Sequence, residues 1–104
     1  MAKNDREVLD GLQLQGANES IAYSIDTEPW GGTPSSPVHD IFDEEDLTTS
    51  LKSTLMSGSP TVSSHNVVLP ALSGITDGVI YKVIVRFVSG GQTLEGYFRV
   101  KGEA

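Results

Sequence analysis

TDGVIYKVIVRFVSGGQTLEGYFRV, running from Thr76 to Val100, is the stretch whose reading decides the fold. Tyr81, Val83, Val85 and Phe87 alternate with Lys82, Ile84, Arg86 and Val88, the period-two signature of a strand with two distinct faces. Ser89-Gly90-Gly91 follows, and then Leu94, Gly96, Phe98 and Val100 alternate with Thr93, Glu95, Tyr97 and Arg99. Two such runs joined by a glycine turn predict a β-hairpin. Tyr81, Val83, Val85, Phe87, Leu94 and Phe98 are expected to face the core, so a second sheet must cover them and the predicted fold class is an all-β sandwich.

Working back from the hairpin, the connection from Pro70 to Tyr81 reads as a corner between sheets. Asp77-Gly78 supplies a turn, Leu72 and Ile75 pack beneath it, and Tyr81 stands where a tyrosine hydrogen-bonds back across such a corner. Upstream, Val62–Leu69 reads as one strand and Gly58-Ser59-Pro60 as a turn. Leu47–Met56 is expected to be a short strand with flanking turns: Leu47, Leu51 and Leu55 recur at helical spacing, but Thr and Ser favour an extended path. Val38–Phe42 and Ser20–Asp26 read as further strands. Between them Thr27–Pro37 contains three prolines and two glycines, which exclude a central strand. Trp30, the one tryptophan, is expected to plug the end of the sandwich from this loop. Residues 1–12 are assigned to a flexible N-terminal arm, most polar over Met1–Arg6, and residues 13–104 to the sandwich domain.

Composition narrows the function. A chain of 104 residues is one domain's worth. With no cysteine, the fold has neither disulfides nor a cysteine zinc site to stabilise it. A net charge of −7 argues against direct nucleic-acid binding, which needs a basic face. No apolar run is long enough for a membrane helix, and MAKNDREV lacks a secretory signal, so the product is expected in the cytoplasm of the cell that makes it.

Candidate sites are few. His39 beside Asp40 and His65 beside Ser64 are the imidazoles for a hydrolase, but neighbours on a strand point to opposite faces, so no catalytic residue is assigned. The run Asp40, Asp43, Glu44, Glu45, Asp46 offers oxygen ligands without the alternation or central glycine of an EF-hand loop, and no metal or cofactor is assigned. Lys82, Arg86 and Arg99 form a basic row on the outward side of the hairpin, and Gly90 and Gly91 bring its tip close to any neighbour. These five are the candidate partner-binding residues, with charge pairing to Glu95 as the ordinary alternative for the row.

YSIDTEPWGGTPSSPV (Tyr23 to Val38) followed by SGSPTVSSHNVVLPALSGITDGVIYKVIVRFVSGGQTLEGYFRV (Ser57 to Val100) resembles short virion proteins of tailed bacteriophages that carry an immunoglobulin-like domain. The likeness covers roughly Gln13 to Val100. It implies an immunoglobulin-like two-sheet antiparallel sandwich in an accessory structural protein of the particle. Such a protein is present in many copies and bound to capsid, neck or tail subunits, with no catalytic residues. The alternative is a carbohydrate-binding or host-surface adhesion module that uses Trp30, Tyr23 or Tyr97 as a stacking platform.

Overall fold

A computed structural model describes residues 7–27 and 33–103. Among the described residues seven strands and one helical turn occur in the order β1 (Glu7–Gly16), β2 (Ser24–Asp26), β3 (Ser35–Asp43), α1 (Lys52–Leu55), β4 (Thr61–Ser63), β5 (Asn66–Val68), β6 (Ile80–Ser89) and β7 (Gln92–Glu103). They form two sheets, β1-β7-β6-β3 and β2-β5-β4. The architecture is mostly β and compatible with an all-β sandwich. Trp30 lies outside the described residues.

The β6–β7 hairpin is the long element of the fold, in register from Ile80↔Lys101 to Ser89↔Gln92. Its two-residue turn gives Gly90 and Gly91 φ values of 59° and 79°. Two successive left-handed residues match the twist of the flanking strands, and glycine takes that conformation without steric cost. Along β6 the buried positions are Tyr81, Val83, Val85, Phe87 and Ser89, and along β7 they are Gly96, Phe98, Val100 and Gly102. Leu94 is half-buried and packs against the same cluster. Facing this row are Ile25 and Val67 from the second sheet, together with Leu69, Leu72 and Ile75 from the segment that leads into β6.

β3 runs antiparallel to β6 at one edge of the sheet, and its register is irregular between Ser35 and Val38. Pro37 sits in that irregularity, where an edge strand tolerates a missing N–H. The strand therefore starts at Ser35, ahead of the Val38 that the sequence suggests.

Three expectations are revised. Residues 7–12, assigned to the arm, belong to β1, whose partner is the distant β7 in parallel register (Leu12↔Arg99, Leu14↔Lys101). Val62–Leu69 is not one strand: β4 and β5 form a hairpin around Ser64-His65, with Ser64 at φ 56°. The carbonyl of His65 then accepts both the N–H and the hydroxyl of Thr27, which ties the turn to the end of β2. Leu47–Met56 contains a turn of helix instead of a strand, with Leu55 N–H donating to the Leu51 carbonyl and Met56 N–H to that of Lys52. Burial of Leu55 and Met56 under the sheet fixes that turn, whereas Leu47 stays exposed, so the leucine spacing does not mark one apolar face.

The corner before β6 has the expected tether, the Tyr81 hydroxyl accepting the Thr76 N–H at 3.0 Å. A second anchor lies at the same end of the core, where Gln15 pairs with Gly102 of β7. Gln15 is fully buried; its amide donates to the carbonyls of Leu72 (2.7 Å) and Glu19 (3.1 Å), and its carbonyl accepts the Tyr23 hydroxyl at 2.9 Å. Every polar atom of this side chain is used. Gln15→Ala is expected to leave the Tyr23 hydroxyl and the Leu72 carbonyl without their partner and to cost about 2 kcal/mol, measured by urea unfolding.

Candidate interaction surface

Strand alternation puts the residues between the core positions on the outer face of the β1-β7-β6-β3 sheet. Strand pairing then sets them in rows: Leu14, Lys101 and Ile80; Leu12, Arg99, Lys82 and Phe42; Tyr97, Ile84 and Asp40; Glu95, Arg86 and Val38. Leu14 is 61% exposed, Val38 46% and Leu12 36%, so the face offers bare aliphatic surface. A solvated sheet face ordinarily carries polar side chains, whereas here Leu12 and Leu14 stand exposed on one edge strand and Val38 on the other, with Tyr97 and Ile84 paired on the strands between.

The basic row lies on this face, and its charges are met within the chain. Arg99 pairs with Glu44 through two hydrogen bonds of 2.6 and 3.0 Å, which tie β7 to the turn after β3. Arg86 pairs with Glu95 at 3.0 Å across the hairpin, and the Lys82 ammonium stands 4.7 Å from the centre of the Tyr97 ring, a cation–π distance. The pairing foreseen as an alternative for Arg86 is thus present. Lys82 and Arg99 are register partners and Arg86 lies further along the same face, while Gly90 and Gly91 are at the distant hairpin tip. A Cβ on either glycine would meet nothing within 4 Å.

Beside the row is a shallow pocket of about 280 Å³ lined by Val38, His39, Asp40, Lys52, Ile84 and Arg86. Its lining is mixed: the aliphatic Val38 and Ile84, the cations Lys52 and Arg86, His39 and the carboxylate of Asp40. Lys52 is brought here by α1, so beyond residue 6 all of the chain's lysines and arginines (Lys52, Lys82, Arg86, Arg99 and Lys101) lie on or beside this face. Glu44, Glu95, Glu103 and Asp40 stand beside these cations, so the face is mixed in charge within an acidic chain.

The remaining candidates hold structural positions. His39 is buried, and its Nε2 lies 2.8 Å from the Met56 carbonyl, to which it donates. Tyr23 packs on Phe98 with ring centroids 5.1 Å apart. Burial, and secondarily the nearby Glu19 carboxylate, raise the Tyr23 pKa above the ordinary phenol value. The acidic turn is braced by its own hydrogen bonds: Asp43 accepts Glu45 N–H, and Asp40 accepts Ile41 N–H and the Ser50 hydroxyl. Among the described residues no three His, Asp or Glu side chains are grouped so as to hold a metal ion.

Asp46 accepts both the hydroxyl (2.6 Å) and the N–H (3.2 Å) of Thr48, and these bonds hold its carboxyl below the usual carboxylate pKa. A lowered folded-state value means that this contribution to the turn is present above the ordinary carboxylate pKa and lost as pH falls through the folded one. Thr48→Ala is expected to move the Asp46 titration back up towards the ordinary value, as read by carboxyl NMR.

The apolar members of the face, Leu12, Leu14, Val38, Ile84 and Tyr97, are what sequence reasoning missed. One signal was available, since the outward row of β6 includes Ile84 and Val88 as well as cations. No family model, curated protein or solved structure matches the chain.

Proposed function

We propose that this chain is an accessory structural protein of a tailed-bacteriophage particle, an immunoglobulin-like sandwich made in the host cytoplasm that binds neighbouring virion subunits through the outer face of β1-β7-β6-β3. The observation that carries the binding role is that face itself, with exposed Leu12, Leu14 and Val38 set among Lys82, Arg86, Arg99 and Lys101. The particle is suggested by the resemblance of Tyr23–Val38 and Ser57–Val100 to short virion proteins. Three features support immunoglobulin-like topology: β2-β5-β4 opposite β3-β6-β7, the Tyr81–Thr76 corner, and a Greek-key path between the sheets. The first strand departs from the constant-domain arrangement by joining the sheet of the last strand.

The mechanism is passive. A compact module docks through a small mixed surface, and repetition on a symmetric particle turns weak contacts into lasting attachment through effective concentration. Mass spectrometry of gradient-purified particles from the phage that carries this gene tests the reading. The chain is expected in constant ratio to the major capsid or tail subunit, and its absence from the particles would contradict the virion role.

A further inference from the structure

We propose that β1 pairs edge to edge with β1 of a second copy, antiparallel across a two-fold axis at Gln13, so that Leu12 of each copy stands opposite Leu14 of the other. This goes beyond the virion role and holds whatever larger assembly the module joins.

β1 is the terminal strand of its sheet and the least guarded of the four terminal strands. β2 and β4 are three residues long, and β3 carries Pro37 and an irregular register with Ser36 at φ 51°. β1 has ten residues, EVLDGLQLQG, with neither proline nor lysine. Its only irregularity falls before Leu12, and from Leu12 to Gly16 the register with β7 is continuous. Natural sheets ordinarily blunt such an edge, because its unpaired N–H and C=O groups are a template for another strand.

The direction of those groups follows from two bonds. Ala17 N–H donates to Glu103 of β7, whereas Gly16 N–H turns the other way, to the Glu19 carboxylate at 2.6 Å. In a parallel ladder each residue sends its N–H and C=O to the same side, alternating along the strand. Leu12 and Leu14 share the parity of Gly16 and therefore direct their main-chain groups to the open edge. In an antiparallel partnership such residues face one another as hydrogen-bonded pairs, with Gln13 and its copy as the close pair between them.

Side chains select the register. Opposed residues must share a face of the continuous sheet, so Leu12 can only meet residues on the outer side of the second copy. Centring the axis on Leu12 sets Leu14 against the irregular segment that precedes Leu12, and centring it on Leu14 leaves Leu12 against Gly16. Only the axis at Gln13 matches both leucines with leucines. The four leucines then cover one another, which accounts for Leu14 being the most exposed of the large apolar residues among those described. The Glu19 carboxylate on Gly16 caps the ladder at each end. The β7 neighbours of Leu12 and Leu14 are Arg99 and Lys101, whose charges are matched by Glu44 and Glu103, so the seam carries no excess of either sign.

Sedimentation equilibrium on the full chain, from micromolar to millimolar concentration, tests the pairing. The parent is expected to form dimers, and Leu14→Lys, at an exposed position, to keep its melting temperature while dimerising at least about tenfold more weakly. Because the chain has no cysteine, a register test is available: under oxidation Gln13→Cys is expected to form a covalent dimer faster than Leu14→Cys, since a close antiparallel pair suits disulfide geometry. A parent that stays monomeric at millimolar concentration, a Leu14→Lys variant that dimerises like the parent, or faster crosslinking through Leu14→Cys overturns the pairing. None of these outcomes bears on whether the chain is found in particles.

Discussion

Phe87→Ala is expected to destabilise the fold by about 3–5 kcal/mol. Phe87 is 1% exposed and pairs with Leu94 on β7, towards the hairpin tip on the buried face of the sheet. Truncation removes the transfer energy of the ring and leaves a cavity that the strands, held by a continuous ladder, cannot collapse to fill. For a domain of this length the loss corresponds to roughly 15–30 °C in melting temperature, a large share of its total stability. The neighbouring Arg86→Ala, on the other side of the strand, removes only an exposed ion pair and is expected to change stability by less than about 1 kcal/mol. Differential scanning calorimetry of the two variants reads the assignment of faces directly. Similar melting temperatures for both would refute it.

Gly102→Ala is expected to cost about 3 kcal/mol, at the upper end for an overpacked site. A Cβ on Gly102 would fall well inside van der Waals contact with the Thr76 carbonyl, a main-chain atom with no rotamer to give way. Gly102 is also bonded on both sides, its N–H to the Val79 carbonyl at 3.0 Å and its carbonyl to the Gly78 N–H at 2.9 Å. The glycine is required for close approach of backbones, since its φ is not among the left-handed values. Relief of the clash must push the 76–79 corner off β7, and with it the Thr76 N–H that Tyr81 accepts. Chemical denaturation should therefore show the loss, and the Thr76 amide should exchange with solvent faster than in the parent. Full retention of stability in Gly102→Ala would show that the corner does not rest on β7 as described.

What the sequence made legible was local. Alternation in β6 and β7, the Gly90-Gly91 turn and the Asp77-Gly78 corner with its tyrosine each depend on neighbours within a few residues. The parallel pairing of β1 with β7 leaves no such mark, because no turn joins the two strands and no spacing fixes their register. Gln15 reads as a surface residue until Tyr23, Glu19 and Leu72 converge on it. Gly102 reads as part of a polar tail until the corner is placed against it. At the Ser64-His65 turn the left-handed residue is a serine, so the glycine that usually announces a hairpin is missing. The candidate surface was half visible: the cations stood out by charge, whereas Leu12 reads as part of the arm and nothing local shows the face of Leu14 or Val38 until pairing puts them outside.

The central claim is that one face of the β6–β7 hairpin holds the fold together while the opposite face binds a neighbour. It is tested most directly by the double variant Val38→Glu, Ile84→Glu, produced during phage growth and followed into gradient-purified particles by quantitative mass spectrometry. The expected result is a protein that folds and melts close to the parent yet is depleted at least about tenfold from particles that contain the parent, as loss of a central apolar contact implies. Incorporation of the folded double variant at the parental level would contradict the claim.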